Sequence, residues 1–220
     1  MKILLVFPTS KKIWLTPKIV PLGIAYIAAV LEKEKYNVSV LDLQVQNAYN
    51  LKADIVAFSA TTATIETVWE LAKEAKKNDA ITILGGVHAT CLPDESLSLP
   101  QIDFVVQGEG EETIVELVNA IKNNLPFDNI LGLSYKKNKE KIHNPLRPFI
   151  SDLDKIPFPA YHLFPGLKHY TPPQPSLSRR KPALNIMTSR GCPYDCVFCY
   201  KGTFGRKYRV RSAENVIKEW

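Results

Sequence analysis

Long apolar runs are missing from this sequence of 220 residues. The apolar run near the N-terminus has only five residues before Pro8, which is too short for a secretory signal or a membrane span, and no later segment is long enough. No G-x-G-x-x-G pattern follows this first run, so a dinucleotide site is not indicated. We therefore expect a cytoplasmic protein with no membrane partner.

Cysteine is also scarce, and its spacing is uneven. Four cysteines, three of them clustered, do not resemble the disulfide framework of a secreted domain, which favours a reducing compartment. Cys91 stands alone, and we expect it to fill a small space in a loop or in the core.

The clustered cysteines are the strongest chemical signal in the chain. Cys192, Cys196 and Cys199 have the spacing C-x3-C-x2-C, with no fourth cysteine nearby. Tetrahedral zinc sites and simple electron-transfer clusters normally have four protein ligands. Three thiolates fit a four-iron cluster that keeps one iron open to another molecule. A zinc site completed by His162 or His169 is the alternative interpretation.

The net charge of +6 is unevenly distributed, because residues 151–220 carry the whole positive surplus. A basic segment of this kind suits an anionic partner, or it is balanced by acidic residues outside this sequence. Basic and aromatic residues do not alternate as in a nucleic-acid groove, so nucleic acid is not expected. Arg179–Lys181 is interpreted as exposed linker, with an anionic-substrate site as the alternative.

Short apolar runs alternate with helical periodicity over residues 1–125. Strands are predicted at 2–7, 38–41, 55–58, 81–84 and 104–106, with helices at 23–35, 65–72 and 114–121. This order predicts an α/β fold with a doubly wound parallel sheet, to which a hairpin at 130–143 is added. Such sheets bind ligands at the carboxyl ends of their strands, here residues 8–10, 59–62, 85–88 and 108–110.

Proline separates this first domain, residues 1–143, from the C-terminal part. Nine of the sixteen prolines lie in residues 145–182, so residues 144–182 are predicted to form an extended linker. Its expected anchors are Phe149, Ile156, Phe158, Tyr161 and Leu163.

Residues 183–220 are predicted to form a strand at 183–188, the cysteine loop and a helix capped by Ser212. This is one unit of a (β/α) barrel. One unit cannot bury its own core, so we expect the barrel to be truncated.

The sequence from Thr188 through Gly191 into the cysteines resembles the radical S-adenosylmethionine (SAM) enzymes. The resemblance implies that Cys192, Cys196 and Cys199 ligate a [4Fe–4S] cluster whose open iron is chelated by SAM. It also implies SAM contacts at Phe198, near the adenine, and at Tyr200. Reduction of the cluster, by an external donor such as flavodoxin or ferredoxin, would cleave SAM to a 5′-deoxyadenosyl radical.

The N-terminal domain resembles the cobalamin-binding domain that precedes the radical SAM barrel in one large subclass. The matching segments are residues 21–26, 59–62, 85–90, 108–112 and, in the linker, 152–161. The cobalamin contacts implied are Thr9, Gly23, Ser59, Thr61, Thr62, Gly85, Gly86, His88, Gly108 and Glu109. Glycines let a flat macrocycle approach the backbone, and hydroxyls suit its amide arms or nucleotide tail. Tight turns without any ligand are the alternative.

Two features limit this resemblance. The D-x-H-x-x-G pattern that supplies a histidine to cobalt is absent after the first strand, so cobalamin would lack that lower ligand. His88 follows a different strand and could ligate cobalt, contact the corrin or order its own loop. Glu111 and Glu112 occupy the positive end of their helix, which argues against a phosphate there.

The resemblance implies methyl transfer from methylcobalamin to a carbon radical on a small-molecule substrate, with SAM remethylating the corrin. Cyclisation or rearrangement, a radical SAM protein without cobalamin, and a binding-only fragment remain alternatives. A methylthiotransferase fits less well, because its N-terminal domain has three cysteines and this one has only Cys91. We expect residues 1–220 alone to cleave SAM weakly or not at all.

Overall fold

A seven-stranded sheet forms the centre of the computed structural model, which describes residues 1–9, 18–47, 50–170 and 183–220. The strands are β1 (Lys2–Phe7), β2 (Asn37–Asp42), β3 (Ile55–Ser59), β4 (Ile81–Gly85), β5 (Phe104–Val106), β6 (Leu133–Lys137) and β7 (Glu140–His143). Their order is β2-β1-β3-β4-β5-β6-β7. β1 to β5 run parallel, and the hairpin β6–β7 adds two antiparallel strands beside β5. The predicted doubly wound parallel sheet is confirmed, and its strand order reverses between β1 and β3.

Helices cover both faces because apolar side chains point alternately to either side of each buried strand. Ile3 and Leu5 of β1 pack with α1 (Leu22–Lys33) and α5 (Glu111–Asn123). Leu4 and Val6 pack on the other face with α2 (Ile65–Lys76), α3 (Val87–Cys91) and α4 (Pro93–Ser98). The structure thus has two apolar layers separated by the sheet. No helix in the described ranges has the length and apolarity needed to cross a bilayer.

The linker lies against the first domain through a few buried side chains. Leu153, Ala160, Phe164 and Tyr170 are buried, and the Tyr170 hydroxyl donates to Asp42 Oδ2 at 2.7 Å. Of the predicted anchors, Tyr161 and Leu163 pack partly against the core, whereas Phe149 and Phe158 remain about 40% exposed. Arg179–Lys181 lies outside the described residues.

The C-terminal part differs from the prediction in one element. Residues 183–188 form no strand, and the regular pairing begins instead at β8 (Ser189–Arg190), antiparallel to β9 (Arg209–Val210). A strand needs a neighbour for its backbone groups, and no described strand lies beside residues 183–188. The last helix, α6 (Ala213–Glu219), begins as predicted, because Ser212 Oγ accepts from the Asn215 N–H at 3.1 Å.

Candidate functional site

A cavity of about 150 Å³ lies at the carboxyl ends of the parallel strands, beside the start of α1 and α5. Its sheet-side wall contains six of the predicted cobalamin contacts: Gly23, Ser59, Gly85, Gly86, Gly108 and Glu109. Met187, Arg190, Thr203 and Phe204 line its opposite side. The segment that carries the cysteines therefore forms part of the same cavity. We call this space the crevice.

The glycines of the crevice have different physical roles. A Cβ atom added at Gly23 or Gly108 would meet no atom within 4 Å, so these two positions leave the backbone open to a ligand. A Cβ at Gly86 would lie 2.6 Å from the Ala60 carbonyl oxygen, and Gly86 has a φ of +95°. The backbone at Gly86 thus lies very close to the loop that follows β3. A residue with a side chain at this position would strain the backbone.

A second cavity, of about 250 Å³, lies at the point where the strand order reverses. Thr9 and Thr61 line it, and Ser59 lines both cavities. Thr61 belongs to a tight turn in which its N–H donates to Thr64 Oγ1 at 3.1 Å. Two of the predicted hydroxyl contacts are therefore placed beside the crevice and not in it.

His88 and Thr62 contact each other and line neither cavity. His88 is buried, and its Nδ1 lies 3.2 Å from the Thr62 hydroxyl. Its Nε2 has no hydrogen-bond partner in the described residues, since Glu95 Oε1 is 3.8 Å away. Burial lowers the pKa of His88, and the charge of Glu95 opposes this only in part. Of the three roles open to His88, these contacts support loop ordering.

One polar atom of the crevice lacks a partner. The hydroxyl of Thr203, four residues after Cys199, is buried and makes no hydrogen bond in the described residues. Buried hydroxyls are normally paired, so this oxygen suits a polar group of a bound molecule. Together with the open wall at Gly23 and Gly108, it gives both sides of the crevice groups that a bound molecule could contact.

Glu109 lines the crevice as predicted, but its carboxylate is held by other residues of the protein. Its side chain is 2% exposed and lies between Arg190 and Arg209, each 4% exposed. Arg209 approaches it with both terminal nitrogens at 2.9 Å, and Arg190 Nη1 lies 3.1 Å away. The Ile150 N–H also donates to it at 2.7 Å. Its carboxylate is thus fully engaged by the protein and not directed at a ligand.

Arg190 has a second buried partner, Glu111 at the start of α5. Burial alone would lower the pKa of Arg190, but the carboxylates of Glu111 and Glu109 outweigh it and raise that pKa. The guanidinium also lies over the rings of Tyr26 and Phe204, at 5.2 and 5.4 Å. This ionic cluster was not predicted, because Glu109 lies 81 residues from Arg190 and 100 from Arg209 in the sequence.

The cysteine loop between β8 and β9 is held by few backbone bonds. The Cys192 N–H donates to the Gly205 carbonyl at 3.2 Å and the Cys199 N–H to the Cys196 carbonyl at 3.1 Å. All three thiols are free and exposed. Within the described ranges, no three His, Cys, Asp or Glu side chains are grouped as metal ligands.

The donor set of this loop nevertheless fits a three-thiolate cluster. Asp195 is the one carboxylate between β8 and β9, and it is held by Lys201 and Arg206, so it does not compete with the thiols. His162, one of the two histidines of the zinc alternative, bonds instead to Glu32 Oε1 at 3.1 Å.

The two predicted SAM contacts point to different places. Phe198 is 88% exposed, whereas the Tyr200 hydroxyl donates to the Thr90 carbonyl of α3 at 3.2 Å. Burial, and then the charge of the nearby Cys91, raise the pKa of Tyr200. Tyr200 therefore attaches the cysteine loop to the first domain, and its role toward SAM stays a prediction.

Known proteins are similar to this chain over its whole length. Residues 15–118 match the family model of the B12 binding domain. The chain thus contains a B12 binding domain. An uncharacterized methyltransferase of Pyrococcus horikoshii is 36% identical over 237 residues, an alignment that covers 100% of this chain and 50% of that protein. The hopanoid C-3 methylase of Methylococcus capsulatus is 29% identical over 235 residues, covering 100% of this chain and 43% of that protein.

A relative whose name gives a different reaction is similar as well. The anaerobic magnesium-protoporphyrin IX monomethyl ester cyclase of Rubrivivax gelatinosus is 32% identical over 217 residues, covering 90% of this chain and 38% of that protein. The chain spans about half, or less, of the length of these relatives. Proteins named as methyltransferases and as a cyclase thus both match most of this chain.

Solved structures of radical SAM enzymes have the same fold as this chain. The cobalamin-dependent radical SAM enzyme OxsB, with aqua-cobalamin and SAM bound, superposes with a TM-score of 0.78 at 24% identity, covering 99% of this chain and 31% of that one. The radical SAM methyltransferase TsrM from Kitasatospora setae, with tryptophan and a SAM analogue bound, gives a TM-score of 0.72 at 20% identity, covering 99% and 44%.

Proposed function

We propose that this chain binds cobalamin in the crevice and a [4Fe–4S] cluster at its cysteine loop, as part of a radical SAM enzyme that methylates an unactivated carbon. One observation supports this most directly. The crevice is lined on one side by the glycine-rich strand ends and on the other by Thr203 and Phe204, which follow Cys199 closely. Two cofactors bound at these places would be neighbours.

The corrin would be held mainly through backbone and hydroxyl groups. Gly23 and Gly108 leave room for the macrocycle, while Ser59 and Thr203 offer hydroxyls to its amide arms. The second cavity, with Thr9 and Thr61, would take the nucleotide tail. Among the described residues, no histidine lines either cavity, so we propose no protein ligand to cobalt.

The cluster would be ligated by Cys192, Cys196 and Cys199, with Phe198 beside the bound SAM. Such a cluster supplies the electron for reductive cleavage of SAM, and cobalamin supplies the methyl group. The names of the relatives support methyl transfer first and oxidative cyclisation second. A small-molecule substrate, an external flavodoxin- or ferredoxin-like donor and a cytoplasmic location complete the proposal.

Cobalamin binding is tested by titrating the chain with hydroxocobalamin and following the corrin absorption. Wild type should bind, and Gly23→Ala should bind about tenfold more weakly, because a new methyl group enters the space of a rigid macrocycle. Gly166→Ala is the control, since its Cβ would also meet nothing within 4 Å but lies outside both cavities. No spectral change with wild type would refute the cobalamin part of the proposal.

Cluster binding is tested by anaerobic reconstitution with iron and sulfide. We expect about four irons per chain and the absorption of a [4Fe–4S] cluster. Cys196→Ala should lose both, whereas Cys91→Ala, the same change at the cysteine outside the loop, should retain them. Stoichiometric zinc with no iron–sulfur absorption would contradict the proposal.

A further inference from the structure

We infer that Glu109 is a positioning residue that fixes the cysteine loop to the rim of the crevice, so that a ligand in the crevice changes how readily the paired strands at the two ends of the loop open. This rests on the proposed function only where it concerns cobalamin. The clamp itself, defined as Glu109 with Arg190 and Arg209, is a property of the described residues.

The two arginines of the clamp stand at the two ends of the cysteine loop. Arg190 is the last residue of β8 and Arg209 the first of β9, and the two face each other in the antiparallel pair. All three clustered cysteines lie between them. Because both arginines converge on Glu109, one carboxylate from the first domain holds both ends of the loop.

Glu109 matters more to Arg209 than to Arg190. Arg190 also pairs with Glu111, whereas Glu109 is the carboxylate that Arg209 contacts among the described residues. Arg209 uses both terminal nitrogens on Glu109, and the ring of Phe149 lies 5.2 Å from its guanidinium carbon. A bidentate buried pair is strong and directional, and loss of one partner leaves a buried charge uncompensated. Loss of Glu109 should therefore loosen the loop first at β9.

The clamp and the crevice share residues. Gly108, Glu109 and Gly110 line the crevice, and so does Arg190. Phe204 lines it too, while its carbonyl accepts from Arg209 Nη2 at 2.8 Å. A molecule that fills the crevice thus contacts the same segments that hold the loop. A ligand shifts the equilibrium between two conformations only if it interacts with them differently. Because a molecule in the crevice contacts these segments when the clamp is closed, it should favour the closed clamp over the open one.

The first part of the test measures amide hydrogen exchange over residues 188–192 and 205–211, the two ends of the cysteine loop, by mass spectrometry on the anaerobic chain without cofactors. In Glu109→Gln and Arg209→Lys these amides should exchange about tenfold faster than in wild type, since local opening becomes easier. Glu112→Gln and Arg206→Lys are the matched controls, because they make the same changes at exposed neighbours. Wild-type rates in both folded clamp variants would overturn the clamp, and if Glu109→Gln does not fold, Arg209→Lys decides.

The second part repeats the exchange measurement with saturating cyanocobalamin. Exchange in wild type and both controls should slow by about threefold or more, whereas Arg209→Lys, at a residue that lines neither cavity, should bind the corrin but show no slowing. Corrin binding that leaves the wild-type exchange of these amides unchanged would overturn the coupling. Failure of wild type to bind any corrin would overturn the proposed cobalamin function, while the first part would still decide the clamp.

Discussion

Gly86 carries a constraint that no larger residue can meet. Its φ of +95° is unfavourable for any side chain, and a Cβ would overlap the Ala60 carbonyl. We predict that Gly86→Ala lowers the free energy of unfolding by about 3 kcal/mol, from backbone strain and the displaced loop. Urea denaturation of Gly86→Ala beside Gly166→Ala measures this, and equal stability of the two variants would be incompatible with the geometry.

His88 gives the protein a predictable response to acid. Burial lowers the pKa of His88 in the folded chain, so the unfolded chain, with a pKa near 6.5, takes up its proton first as the pH falls. The contribution of neutral His88 to stability is therefore present above pH ~6.5 and is lost below it. We predict a steeper loss of stability between pH 7.5 and 5.5 for wild type than for His88→Gln. Urea denaturation at the two pH values measures this. An equal loss in the free energy of unfolding for wild type and His88→Gln would refute it.

At the scale of elements, the linker is attached by a buried hydrogen bond to the end of β2. The Tyr170 hydroxyl donates to Asp42, which also accepts from the Gln44 N–H at 2.9 Å. Tyr170→Phe would remove the shorter of the two hydrogen bonds that the buried Oδ2 atom of Asp42 accepts, the other coming from Gln44 Nε2 at 3.2 Å, and we predict a loss of about 2 kcal/mol. Tyr208→Phe, the same change at a residue 59% exposed, should cost almost nothing. Thermal unfolding compares the two, and equal values would show that the bond contributes little.

The element prediction succeeded where the sequence repeats a simple physical pattern. β1 to β5 are short apolar runs, and α1, α2 and α5 have helical periodicity, so their order predicts the sheet. α3 and α4 were missed because helices of five and six residues are too short to show that period. The strand predicted at 183–188 was wrong, because its apolar residues have no neighbouring strand among the described ones.

The candidate site could be predicted only in part for a related reason. Gly23 follows from the predicted helix start, Gly86 and Gly108 follow from turns after predicted strands, and the cysteine spacing is local. The pairing of Glu109 with Arg209 joins residues 100 apart and depends on how the loop folds back over the sheet. Charges alone do not identify their partners, and so the ion pair of Glu109 was not predicted, while its contact with cobalamin stays a prediction.

For the whole molecule, stability should be unevenly distributed. β1, β3 and β4 lie inside the sheet with neighbours on both sides, whereas residues 191–208 have few backbone bonds and exposed side chains. We predict that amides of the central strands exchange with solvent most slowly and those of the cysteine loop fastest. Hydrogen exchange with mass spectrometry measures this, and protection of the loop equal to that of β3 would contradict it.

The hairpin β6–β7 also has a consequence for how this protein behaves at high concentration. A parallel sheet that ended at β5 would present unpaired backbone groups to any other chain. Here the outermost strand carries Glu140 and Lys141, and Lys141 reaches across to the Asp94 carbonyl and the Ser98 hydroxyl of α4. Charged side chains on a short outer strand make it a poor template for a second sheet. The hairpin thus protects this edge of the sheet from pairing with the edge of another molecule.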